Sequence, residues 1–188
     1  MTSLEVIALD GLPLIKAGDD LVELIASSLK RSGVEPRAQD VLVVAQKIVS
    51  KAEGRMVDLA TIEPSANART LAAEVDKDPR LVEVILSESV RVVRARRGVL
   101  IVEHRLGFIM ANAGVDQSNV APSDGSSRAL LLPENPDRSA EALRRGLAKL
   151  TGIDLAVVIN DSFGRAWRQG TAGVAIGVAG LPALIDLR

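Results

Sequence analysis

With 188 residues the chain is long enough to bury a core as one domain or as two small lobes. It has no cysteine and a single histidine, which excludes disulfides, thiolate metal sites and multi-histidine zinc sites, so any metal would be held by oxygen. Lys and Arg total 23 against 24 Asp and Glu, and aromatics are 2%, arguing against nucleic acid; no apolar run reaches the ~18 residues of a membrane span and no signal pattern opens the chain, so a cytoplasmic protein is expected.

In chain order, "LEVIALD" alternates and reads as a strand, followed by a loop "GLPLIKAGDD". Asp19 or Asp20 can cap a helix whose Leu21, Leu24, Ile25 and Leu29 share one face and which Gly33 stops. "DVLVVAQKIV" is a mostly β-branched run that predicts a strand buried on both faces, delivering "SKAEGR" to its C-terminal end. Helical patterns over 64–74 and 79–89, each opened by a proline, predict a helical hairpin burying Leu81, Val84 and Ile85. "RVVRARRGVLIVEHRLGFIMANAG" predicts two or three strands with turns at Arg97-Gly98 and Arg105 to Gly107. The most loop-like stretch follows, interrupted by "ALLL". A helix capped by Asp137 or Ser139 then carries Ala140, Leu143, Leu147 and Leu150 at helical spacing. "DLAVVIND" reads as a buried strand ending at Asn160-Asp161, and a glycine-rich apolar segment closes the chain. The irregular alternation predicts a mixed α+β fold with an irregular mixed sheet, and neither a P-loop nor a G-x-G-x-x-G motif occurs.

Three polar clusters fall where apolar runs end: Ser50, Lys51 and Glu53; Asn112, Asp116, Ser118 and Asn119; Asn160, Asp161, Ser162, Arg165 and Arg168. Each has an ordinary reading. Asp116 can close a turn on its own backbone, "SKAEGR" can be a solvated exit, and Asp161 or Ser162 can cap a helix. His104 reads as a surface or strand histidine and Trp167 as packing. Taken together, Asp116 and Asp161 suit a hard cation such as Mg²⁺ or Mn²⁺, and Lys51 supplies a point charge for phosphate. Arg165 and Arg168 could hold an acidic substrate bidentately. The glycines of "GTAGVAIGVAG" would let backbone approach a nucleotide or would permit tight packing.

Five ordered blocks, "GLPLIKAGDDL", "VAQKIVSKAEGR", "ANAGVDQSNV", "LLLPENPDRSAEALR" and "VVINDSFGRAWRQGTAGVAIGVAG", resemble the γ-glutamyl ligase family of coenzyme F(420) biosynthesis. The resemblance implies a single γ-glutamyl-ligase-like domain over 1–188. The expected enzyme is a GTP- and divalent-metal-dependent ligase that joins L-glutamate to a deazaflavin precursor through an acyl phosphate, releasing GDP and phosphate. It implies metal ligands at Asp116, Asp161 and Ser162, with Asp116, Asp161 and Lys51 as the catalytic set. Nucleotide contacts are implied at Leu12, Pro13, Leu14, Ile15, Gln46, Lys51 and Asn119, where Gln46 replaces the Ser or Thr of many members. A homodimer is implied as well, and family chains continue past Arg188 with further blocks. Two other classes compete: a metal-dependent phosphohydrolase, and a non-catalytic nucleotide- or deazaflavin-binding module.

Overall fold

The computed structural model describes residues 3–117, 127–164 and 169–186. Helix α1 (Leu21–Arg31) begins at Asp20, whose carboxylate accepts from the Val22 and Glu23 N–H groups, and it buries Leu21, Ile25 and Leu29. Strand β1 (Val41–Ala45) passes directly into helix α2 (Gln46–Ala52). Strand β2 (Met56–Asp58) leads to the helical hairpin α3 (Ala66–Val75) and α4 (Pro79–Ser87), capped by Ser65 and Asp78. Strands β3 (Ser89–Arg96), β4 (Val99–His104) and β5 (Ile109–Ala111) follow, turning where Gly98 and Gly107 stand. Strand β6 (Arg128–Leu130), helix α5 (Pro136–Thr151), and strands β7 (Ala156–Gly164) and β8 (Thr171–Ala179) complete the order.

Three small sheets result, in the orders β1-β7-β8, β2-β6 and β3-β4-β5. The β1–β7 pair is parallel and the other pairs are antiparallel, which makes the fold α+β with mixed sheets. Two apolar clusters form. One packs α1, α5 and the β1-β7-β8 sheet around Ile25, Leu147, Val157 and Ile159; the other packs α3, α4 and the β3-β4-β5 sheet around Val75, Ile85, Leu100 and Val102. The chain after β6 joins them by simple alternation, since Leu131 enters the second cluster and Leu132 the first.

A buried carboxylate braces this junction. Glu88 accepts from Arg55 Nη2 (2.9 Å) and Arg105 Nε (3.0 Å), while Arg55 Nε reaches the Leu132 carbonyl and Arg105 Nη1 the Glu134 carbonyl. Of the two positions expected for His104, surface or strand, the structure shows the second: it ends β4 and is fully buried. Its Nδ1 accepts from the Leu106 N–H, so the ring proton sits on Nε2, which faces Glu88 Oε2 at 3.5 Å. Burial would push the Glu88 carboxyl upward, but His104, Arg55 and Arg105 outweigh it and hold the pKa at about 2.

Several elements differ from the sequence reading. "LEVIALD" forms no strand: residues 3–16 run without strand pairing, and Leu4 and Val6 are 91% and 87% exposed. "DVLVVAQKIV" is a strand only to Ala45, and β1 exposes Val41 and Val43 rather than burying both faces, because it stands at the sheet edge. Helix α5 is capped by Asn135, upstream of the expected residues, because Pro136 occupies its first position. Asp137 instead accepts from the Val178 N–H, and Leu150 is exposed. The closing glycine-rich segment is β8, and a Cβ at Gly177 would lie 2.5 Å from the Pro136 carbonyl group. Among the described residues no helix is long and apolar enough to cross a membrane.

Two outcomes follow. Gly177→Ala forces β8 away from the start of α5 and should cost about 1–3 kcal/mol, read as a lower midpoint in urea unfolding. Glu88 is ionised more easily in the fold than in the open chain, so its contribution is present above the ordinary carboxyl pKa of 4.5 and is lost as pH falls toward 2. That contribution is about 3 kcal/mol. Glu88→Gln should remove this acid-side slope of stability between those pH values and lower stability at neutral pH by about 3–5 kcal/mol.

Candidate functional site

The site starts from a mismatch in strand length. Strand β1 pairs with β7 only as far as Ala45 opposite Asn160, while β7 continues through Asp161 to Gly164 with β8 alone. Where β1 would continue, the chain bends into α2, so Gln46 stands beside Asp161. Helix α2 has no side-chain cap at Ala45 and is held by its buried face, Gln46, Val49 and Ser50. The Ser50 hydroxyl donates to Gln46 Oε1 (2.9 Å), and the Gln46 side chain hydrogen-bonds the Asp161 carboxylate.

Asp116 arrives from the other lobe. After β5 the chain makes a turn over Asn112–Gly114 with three successive left-handed residues, φ 52°, 53° and 67°. Such conformations are costly for Asn and Ala and are held here by packing: Ala113 is fully buried, and Gly114 abuts Leu132 and Met110 so closely that a Cβ would fall 2.9 Å from each. Asp116 then exchanges both main-chain hydrogen bonds with Leu130, at 2.9 and 2.8 Å. Its carboxylate meets Lys47 Nζ at 2.5 Å. The Asn112 Oδ1 is buried without a partner among the described residues.

Asp116 and Asp161, 45 positions apart in sequence, therefore share one electrostatic environment. Burial is the main force raising the Asp161 carboxyl above its ordinary range. The Ser162 N–H opposes it at 2.8 Å, the Asp116 charge reinforces it, and Gln46 and Lys47 pull it back. The pleat puts the Ser162 side chain on the opposite face of β7 from Asp161, and the Asn160 carboxamide packs over Gly173. Asn160 and Asp161 thus lie within a strand, neither at its end nor at a helix cap.

Lys51 sits one helical turn beyond Lys47. It opens into a pocket of about 460 Å³ with Ile15, Lys16, Met56, Asp58 and Arg128. This brings Ile15 and Lys51 together as the sequence suggested, whereas Leu12, Pro13 and Leu14 are exposed and do not line the pocket. The Gly18 N–H bonds the Ala52 carbonyl and ties this loop to α2. Glu53 points elsewhere. It accepts from the Ser139 hydroxyl and the Glu134 N–H, and it lines a second cleft of about 780 Å³ with Arg55, Arg105 and Arg138. Ser118, Asn119, Arg165, Trp167 and Arg168 lie outside the described residues. Lys47, Lys16 and Arg128 were not singled out in the sequence; Lys47 could have been found from its i, i+4 spacing to Lys51 had α2 been read as a helix.

The donor set fits a small divalent cation of the Mg²⁺ or Mn²⁺ kind. Two carboxylates lie within electrostatic reach of each other, an ammonium already partners one of them, and such ions complete their shells with water and phosphate oxygens. Among the described residues no three Asp, Glu or His side chains form a fuller cage.

This is an α+β protein with paired carboxylates and a lysine-lined pocket where two lobes meet. The chain belongs to the F420-0:gamma-glutamyl ligase family, whose model matches residues 11–188. It is 47% identical to the coenzyme F420:L-glutamate ligase of Methanopyrus kandleri over 100% of this chain and 72% of that protein. The proteins of the same name from Methanothermobacter thermautotrophicus and Methanocaldococcus jannaschii are 46% and 42% identical, each over 97% of this chain and 71% and 69% of their own length.

If the left-handed turn sets the course of Asp116, a side chain at Gly114 should be felt. Gly114→Ala places a Cβ against Leu132 and Met110 at a positive φ and should cost about 1–3 kcal/mol in chemical unfolding, with Gly98→Ala at an open turn costing less.

Proposed function

We propose that the protein is a GTP-dependent ligase that forms an amide between a carboxylate of the deazaflavin F420 precursor and the amine of L-glutamate, then extends it through γ-linked glutamates. The observation that carries this reading is that Asp116, paired with Lys47, lies within electrostatic reach of Asp161, one helical turn from the pocket of Ile15 and Lys51, in a chain of the F420-0:gamma-glutamyl ligase family. A carboxylate is a poor electrophile and must first be activated. In this reading its oxygen attacks the γ-phosphorus of GTP, GDP leaves, and the glutamate amine displaces phosphate from the acyl phosphate, losing a proton.

The demand on the protein is electrostatic, because two anions must be brought together. Asp116 and Asp161 would hold Mg²⁺ or Mn²⁺, while the Ser162 hydroxyl implied by the resemblance stands on the opposite face of β7 and has no part in this reading. The cation would neutralise phosphoryl oxygens and polarise the phosphorus. Lys51 adds a fixed positive charge for the phosphate chain. Ile15 is buried and anchors the loop that exposes Leu12, Pro13 and Leu14, whose main-chain groups would meet the nucleotide. A homodimer belongs to the same reading and is supported by the exposed Leu4, Val6, Leu14, Leu184 and Ile185; light scattering of the purified protein measures it.

Turnover assays test the assignment. GDP release from GTP should require the F420 precursor, L-glutamate and Mg²⁺ or Mn²⁺ together, and Asp116→Asn or Asp161→Asn should lower kcat by ~10²-fold or more. GDP release without precursor or glutamate would identify a phosphohydrolase, and nucleotide binding without turnover would identify a binding module.

A further inference from the structure

Gln46 does not line the pocket of Ile15 and Lys51; its side chain hydrogen-bonds the Asp161 carboxylate. Gln46 is 6% exposed and Ser50 is fully buried, so the hydrogen bonds of both are settled inside the protein. The Ser50 hydroxyl donates to Gln46 Oε1 at 2.9 Å. That bond fixes which way the carboxamide faces, because an oxygen engaged by a donor leaves the NH₂ end to turn toward Asp161. Asp161 also receives the Ser162 N–H at 2.8 Å on Oδ1. One donor thus comes from its own strand and one from the helix that replaces β1 beyond Ala45.

We infer that Gln46, oriented by Ser50, is a positioning residue for Asp161 that holds its carboxylate at the cation site. The inference rests on the reading that Asp116 and Asp161 bind a divalent ion. The physical reason is that a carboxylate held by two donors pays less ordering cost when an ion arrives, and partners that orient a ligand commonly govern 10- to 100-fold in metal affinity. Ser50 acts only through Gln46. Its own oxygen lies on the far side of the carboxamide, so its effect should vanish when the carboxamide is absent.

Electron paramagnetic resonance of Mn²⁺ added to the protein without nucleotide reads binding directly, and thermal melting of the metal-free protein reports folding. Gln46→Leu keeps the volume and removes the donor; it should weaken Mn²⁺ binding about 10- to 100-fold. Ser50→Ala should weaken it less, on the order of 3- to 10-fold, with the metal-free melting temperature near that of the wild type, and it serves as the milder variant should Gln46→Leu fold poorly. The double variant should bind Mn²⁺ no more weakly than Gln46→Leu alone, a coupling that a general loss of stability would not produce. Wild-type Mn²⁺ binding in both single variants, with binding lost in Asp161→Asn, would overturn the positioning role and leave the carboxylate site standing. Additive losses would overturn the relay from Ser50. Wild-type binding in Asp161→Asn would remove both this inference and the cation reading on which it rests.

Discussion

The buried Glu88 carboxylate is the constraint on which the geometry of this protein turns. It would be expensive to bury alone, and it is stable because two guanidinium groups approach it from different parts of the chain. Arg55, just after α2, uses the pair to reach the Leu132 carbonyl, and the Arg55 carbonyl in turn accepts from the Leu131 N–H. The segment following β6 is therefore clamped on both sides. Leu130, immediately before it, carries Asp116 by two main-chain bonds. A salt bridge at the junction of the two apolar clusters thus bears on where a carboxylate of the site stands.

The second determinant is the early end of β1. Had the strand continued beside β7, Asp161 would face another main chain and its carboxylate would lie over a closed sheet. Because the chain becomes α2 at Gln46, the freed side of β7 is bordered by a helix that supplies an amide, an ammonium and, one turn later, a second ammonium. The acidic pair and the cationic pocket are consequences of one backbone transition.

Much of the helical framework in both parts was legible in the sequence because its signals are local. The apolar stripes of α1, α4 and α5, the proline opening α4 and the glycines at the strand turns depend on neighbours three or four residues away, whereas Pro64 stands before the Ser65 cap of α3 instead of opening that helix. What failed depended on distant partners. "LEVIALD" has a strand's alternation, but alternation does not supply a strand to pair with. The end of β1 was hidden because α2 begins at Ala45 without a capping side chain and with Ile48 and Val49 inside it, residues that read equally well as strand. At the site, Asp116, Asp161, Lys51 and Ile15 were named from clusters and resemblance. The pairing of Gln46 with Asp161 and of Lys47 with Asp116 was not visible, since it arises from the register of β1 against β7 and the left-handed turn before Asp116. The buried state of His104 was missed for the same reason: nothing near it in sequence announces Glu88.

Asp116 is positioned by its peptide groups, not by its carboxyl. Main-chain hydrogen bonds to Leu130 and the packing of Ala113 and Gly114 fix its Cα whatever the side chain carries. Chemistry and architecture are thereby uncoupled at this position. A lineage could exchange the acid for an amide or a small residue, keep a well-folded descendant, and drift from a reactive protein to one that merely holds a ligand without crossing an unfolded intermediate.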